Sequence, residues 1–178
     1  MPRLPYITND DPRANTPTAM AVRARRDGGL LNLDRALLYS EPLAAGWNAF
    51  LGALRTRCLL DGRLRELAIL RIALLNRAPY EFDQHAPVAL QCGATQAQID
   101  ALQDWPHATV LGAVDKAVLA YTDAMTVAVQ VPDAVFAQVR SALNDDQALV
   151  ELTATVGGYN MVARFLEALQ ITQDGESP

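Results

Sequence analysis

Glu66, Glu81 and His85 are the residues of this chain whose types and spacing point to chemistry. Glu81 and His85 lie four positions apart in Tyr80-Glu81-Phe82-Asp83-Gln84-His85. On a helix, residues at that spacing share a face with about 5–6 Å between their Cβ atoms. A carboxylate beside an imidazole is acid–base apparatus, in which one group takes a proton and the other holds or returns it. Glu66 stands at the front of the apolar run Leu67-Ala68-Ile69-Leu70. A carboxylate there must be paired, hydrogen-bonded or protonated, and its burial predicts a raised pKa. Each residue also has a plainer reading. His85 serves equally as a core or interface histidine donating to Glu81, and Glu66 as the partner of an arginine. Two carboxylates and one histidine, without a second histidine, form a poor donor set for zinc or iron, so no metal is expected.

The elements that must hold these residues are all helical. A helix over about 63–76 is apolar on nearly every side and is expected to be the central one, with Arg63, Arg65 and Arg77 at its wetter ends. Pro79 fits the first turn of the next helix, about 79–91, which carries Glu81 and His85. Pro87 lies inside that helix and predicts a bend or a split one turn after His85. Gly93 then reads as a C-terminal cap, and Thr95-Gln96-Ala97-Gln98 as a capping box opening a short helix through Leu102.

Before this hairpin, a helix over about 42–57 places Leu43, Trp47, Phe50, Leu51 and Leu54 in one apolar stripe. After it come helices over about 112–128 and from Pro132-Asp133 to Leu143. A long last one is capped by Asn144-Asp145-Asp146-Gln147, with Gly157-Gly158 expected to mark a kink or close contact. Asp27-Gly28-Gly29 breaks the first polar helix, Asp83 is expected in solvent or at a subunit contact, and His107 is expected in a loop without a partner. No strand alternation is visible, so the fold class is all-α.

The domain organisation follows from composition. Pro2, Pro5, Pro12 and Pro17 make residues 1–17 an extended arm, 18–173 reads as a single helical domain, and 174–178 as a frayed tail. With 178 residues and 51% hydrophobic content the chain can bury one sizeable core. A net charge of −5 argues against nucleic acid and anionic membranes as partners. The early prolines and Asp10-Asp11 leave no signal peptide, and no apolar run reaches the length of a membrane span, so a cytoplasmic location is expected. Cys58 and Cys92, 34 positions apart, fit neither a redox pair nor a zinc site and read as reduced thiols.

Glu66 with its apolar run, Tyr80-Glu81-Phe82-Asp83-Gln84-His85 and Gly93 together resemble the carboxymuconolactone decarboxylase family, which shares a fold with alkylhydroperoxidase D. The resemblance is strongest over 50–105 and extends through Tyr159-Asn160-Met161-Val162-Ala163-Arg164-Phe165 to the C-terminal helix of longer members. It implies an alkylhydroperoxidase D-like helical domain with a central helical hairpin. The thiol peroxidase branch carries a Cys-x-x-Cys pair where this chain has Ala78 and Glu81, so that chemistry lacks both its nucleophile and its resolving partner here.

The decarboxylase branch is what remains. It implies proton transfer by His85 on a small carboxylated lactone or enolisable acid, with Glu81 orienting it or exchanging protons and Glu66 as a second acid–base candidate, and without a cofactor. Arg71 and Arg164 are candidates for holding a substrate carboxylate. Other outcomes stay open: a non-catalytic or ligand-binding helical oligomer, and a thiol-linked oxidoreductase. The resemblance also implies a homo-oligomer, trimer or hexamer.

Overall fold

The computed structural model describes residues 1–26 and 28–175, and among these every regular element is a helix. The elements are α1 (Pro17–Arg25), α2 (Asn32–Leu37), α3 (Glu41–Thr56), α4 (Gly62–Asn76), α5 (Pro79–Gln91), α6 (Gln96–Asp100), α7 (Ala113–Asp123), α8 (Asp133–Leu143) and α9 (Asp146–Leu169). They group into two compact units, one formed by residues 1–56 with those from 165 onward, the other by 57–164, so α9 contributes to both.

In the first unit the N-terminal segment is tied down by its own neighbours. Arg3 N donates to Leu169 O at 3.0 Å, Tyr39 Oη to Pro5 O at 2.8 Å and Arg35 Nη1 to Ile7 O at 2.7 Å. Ile7 and Ala14 are buried, the latter in a 3-10 turn over Pro12–Asn15 that leads straight into α1. Past α9, the Asp174 carboxylate accepts from Asn32 N at 2.6 Å. The remainder of the expected tail, 176–178, and Asp27 of the expected break after α1 lie outside the described residues. The α3 stripe is narrower than its sequence suggests. Trp47, Leu51 and Leu54 are buried, and Trp47 packs on Phe165 with ring centroids 5.2 Å apart. Leu43 and Phe50 are 48% and 42% exposed, because the buried face is centred on Ala44, Trp47 and Leu51 and these two fall to its sides.

The second unit is built on α4, which packs against α5 and α7. Leu67, Ala68, Ile69, Leu70 and Ile72 are fully buried, as all-round hydrophobicity requires. Its ends are defined locally. The Asp61 carboxylate accepts from Leu64 N at 3.0 Å, and Arg77 adopts the left-handed conformation (φ 55°) that stops the helix before Pro79 opens α5.

Pro87 does not split α5, which runs unbroken from Pro79 to Gln91. Pro87 is exposed, so the bond its missing N–H cannot make lies on the solvent side. Gly93 (φ 92°) ends the hairpin, and the Thr95–Gln98 capping box opens α6 as its residue types predict. The helix expected to reach 128 is regular only to Asp123 and continues as a π-helical turn over Ala124–Ala128, followed by Val129 at φ 65°. Gly157-Gly158 does not break the last helix, and Gly158 is buried. The α9 helix is continuous, Gly157 is exposed, and a Cβ there would meet no atom within 4 Å.

Candidate acid–base site

The three residues singled out by type lie in the second unit, Glu66 on α4 and Glu81 and His85 on α5. The hairpin couples them in a different pairing from the one that spacing along α5 suggests. His85 Nδ1 lies 2.7 Å from Glu66 Oε2, across the α4–α5 contact, and the recorded partner of the imidazole is thus 19 positions upstream. Glu66 Oε1 accepts from Arg65 Nε at 3.0 Å, so both oxygens of this fully buried carboxylate are engaged. The edge of the Tyr159 ring, from α9, stands against His85 at 5.0 Å and 89°. On the far side of Arg65, Nη2 contacts Cys92 Sγ at 3.9 Å.

Electrostatics separate the two glutamates. Burial alone raises the Glu66 pKa, but the His85 hydrogen bond and charge, with Arg65 beside it, outweigh burial and hold the carboxyl below the ordinary glutamate value. The upward shift expected for Glu66 is therefore reversed, because burial came with two partners. Glu81 shows the opposite balance. It is 2% exposed, neither carboxyl oxygen has a hydrogen-bond partner among the described residues, and burial pushes its pKa well above the ordinary value.

Glu66 as a carboxylate makes Nδ1–H of His85 the donor, which leaves Nε2 with its lone pair and no hydrogen bond among the described residues. This arrangement can take a proton at Nε2 and stabilise the resulting imidazolium through Glu66. Glu81, one helical turn before His85, adds a second buried carboxyl, whose pKa burial raises.

Arg65 and Tyr159 belong to this site although their residue types did not mark them. Arg65, expected at a wet helix end, is buried, and its position next to Glu66 was the available signal. Tyr159 comes from a distant helix, and only the family-like segment around it pointed there. The two arginines considered for a substrate carboxylate have other partners. Arg71 makes two 2.7 Å bonds to Asp123, which also accepts from Trp105 Nε1, while Arg164 Nη1 donates to Asn160 O and Oδ1. His107, expected without a partner, pairs with Asp104 at 2.7 Å on the exposed surface.

Cys58 and Cys92 form no disulfide, and burial with the neighbouring Glu151 pushes the Cys58 thiol up. Among the described residues no group of three or more His, Cys, Asp and Glu side chains is placed to hold a metal ion, and no helix is long and apolar enough to cross a membrane. A hollow of about 330 Å³ beside the α4–α5 turn is bordered by Ala78, Pro79 and Phe82, not by the three site residues.

Comparison with known proteins agrees with this hairpin-centred arrangement. The sequence profile described as the carboxymuconolactone decarboxylase family matches residues 41–124, which contain Glu66, Glu81 and His85. A curated relative, the uncharacterized protein YnjA of Escherichia coli (strain K12), is 30% identical over 78% of this chain and 74% of its own length. Two solved structures share the fold at a TM-score of 0.82. An uncharacterized peroxidase-related protein from Silicibacter sp. TM1040 is 18% identical, with 98% of this chain and 92% of that one covered. An alkylhydroperoxidase AhpD core, an uncharacterized peroxidase-related protein from Ralstonia eutropha JMP134, is 15% identical, with 98% and 93% covered. The chain belongs to the carboxymuconolactone decarboxylase family and has the alkylhydroperoxidase D-like all-α fold.

Proposed function

We propose that this protein is a cofactor-independent lyase or isomerase that moves protons on a small lactone or enolisable acid, with His85 as the acid–base group and Glu66 as the residue that orients it. The observation that carries this reading is the 2.7 Å Glu66–His85 contact, which fixes Nδ1 and leaves Nε2 open. Family membership supports it at the level of class, since the founding chemistry needs a proton donor at a carbanion beside a lactone carbonyl. Peroxide reduction of the alkylhydroperoxidase D type rests on two cysteines at the positions of Ala78 and Glu81, and this chain has no sulfur at either.

In the proposed cycle Nε2 takes a proton from the carbon next to the carbonyl, or, after CO2 leaves the γ-carbon and its bonding pair spreads through the conjugated C=C, the imidazolium form delivers one to that α-carbon. Glu66 stabilises the imidazolium in both cases.

The test is turnover of 4-carboxymuconolactone, read as CO2 release and absorbance change, and of α-angelica lactone, read as absorbance of the conjugated isomer. Wild type is expected to turn over at least one of them. His85→Ala should lower kcat by ~10²–10⁴, the usual contribution of a positioned acid–base group. Full activity in a folded His85→Ala variant, or turnover of neither probe by wild type, contradicts the reading.

A further inference from the structure

Glu81 is a buried acid that the proton transfer described above does not use. It sits four positions before His85 on the same helix, with about 5–6 Å expected between the two Cβ atoms, and both its oxygens are buried without a hydrogen-bond partner among the described residues. A carboxylate cannot be kept in that state cheaply, whereas a neutral carboxylic acid can, and it then offers one O–H donor. The charges around it point the same way. The Glu66 carboxylate already has Arg65 and His85, and among the described residues Arg65 is the permanent cation in contact with it, its Nε on Glu66 Oε1. A substrate carboxylate brought beside His85 would therefore add a second anion to the one on Glu66.

We propose that Glu81 is a catalytic acid whose O–H faces the substrate's carbonyl oxygen, and that the site takes an uncharged enolisable lactone or ketone, moving a proton between its carbons in preference to releasing CO2 from a carboxylate.

The proposal rests on the acid–base reading of His85 and narrows it to one substrate class. His85 Nε2 takes the proton from the carbon beside the carbonyl, and that C–H pair becomes the new C=C bond. The carbonyl π pair moves to oxygen, where the Glu81 O–H donates to it. In a substrate with a β,γ double bond, the proton on Nε2 then goes to the γ-carbon, whose new C–H bond takes the Cβ=Cγ π pair, while the enolate C=C pair shifts to Cα=Cβ, the carbonyl re-forms and Glu81 keeps its own proton. Protons and electrons balance with no oxidant, reductant or leaving group. A neutral carboxylic acid aimed at a developing enolate oxygen is a known catalytic device.

Two measurements on the full chain test this. The infrared difference between wild type and Glu81→Gln at neutral pH should contain the C=O stretch of a protonated carboxylic acid. Finding only carboxylate bands overturns the proposal whatever the activity. Wild type should isomerise α-angelica lactone with a higher kcat/KM than it decarboxylates 4-carboxymuconolactone. Glu81→Leu, which removes the donor, should lose ~10²–10³ in kcat with KM little changed, as for loss of one oxyanion donor. Glu81→Gln, which keeps a neutral N–H donor, should retain more activity than Glu81→Leu and guards against a folding defect in the latter. Equal kcat in wild type and Glu81→Leu overturns the role of Glu81. CO2 release faster than isomerisation overturns the substrate class and leaves the acid–base reading of His85 standing. Turnover of neither probe removes that reading and this proposal with it.

Discussion

At residue scale the site is defined by two glutamates in opposite surroundings. Glu66 is fully buried but held by Arg65 and His85; Glu81 is almost as buried and has no partner among the described residues. The same side chain is thus shifted down in one place and up in the other by its partners. Glu66→Leu removes one member of a buried ion pair and strands the others, so it should destabilise the fold by about 3–5 kcal/mol in urea titration. The pH dependences have opposite signs. Glu66 is held below the ordinary value of 4.5, so the stability it contributes is present above that pH and is lost as pH falls through its folded value. Glu81 is raised above 4.5, so its contribution is complete below 4.5 and is lost as pH rises toward its folded value. Thermal melts should therefore show Glu81→Gln gaining on wild type as pH rises from acidic to mildly basic; a constant difference would mean that Glu81 is not shifted. The three residues were legible from their types, but their pairing was not. Spacing along one helix joins Glu81 to His85, whereas the bond to Glu66 depends on how α4 and α5 pack.

At the scale of elements the punctuation was legible because it is local. Pro79 at the start of α5, Gly93 at its end and the Thr95–Gln98 box each act through backbone bonds of their own neighbours. What escaped is set by packing over longer distances. The π-helical turn after Asp123 carries no residue signature, and Leu43 and Phe50 are apolar residues outside the buried face of α3. Pro87 misled for the converse reason, since a proline on the exposed side of a helix leaves its missing bond to solvent. The end of the π turn offers a test. Val129 is β-branched, 79% exposed and held at φ 65°, a backbone conformation that costs a side chain of this shape. Val129→Gly loses no buried contact and should raise stability by about 1 kcal/mol in urea unfolding. A loss of stability would show that the valine side chain holds the turn.

On the scale of the whole molecule, a chain of 51% hydrophobic residues and net charge −5 folds into helices, and the α4–α5 hairpin places one acid–base pair in the second unit. The family and the fold were legible from a handful of residues around that hairpin; the substrate was not, because it depends on side chains brought in by packing, such as Tyr159. The resemblance implies trimers or hexamers, and sedimentation velocity should find a species heavier than the 19.3 kDa monomer. A monomer at micromolar concentration would contradict this. The central claim is that His85 Nε2, with Glu66 behind it, takes protons from carbon. Proton NMR of α-angelica lactone in D2O measures that step at the carbon beside the carbonyl, independently of product formation. Wild type is predicted to catalyse deuterium incorporation there, with Glu66→Gln slower and His85→Ala at the uncatalysed rate. Exchange by wild type no faster than in buffer, or exchange undiminished in His85→Ala, would contradict the account.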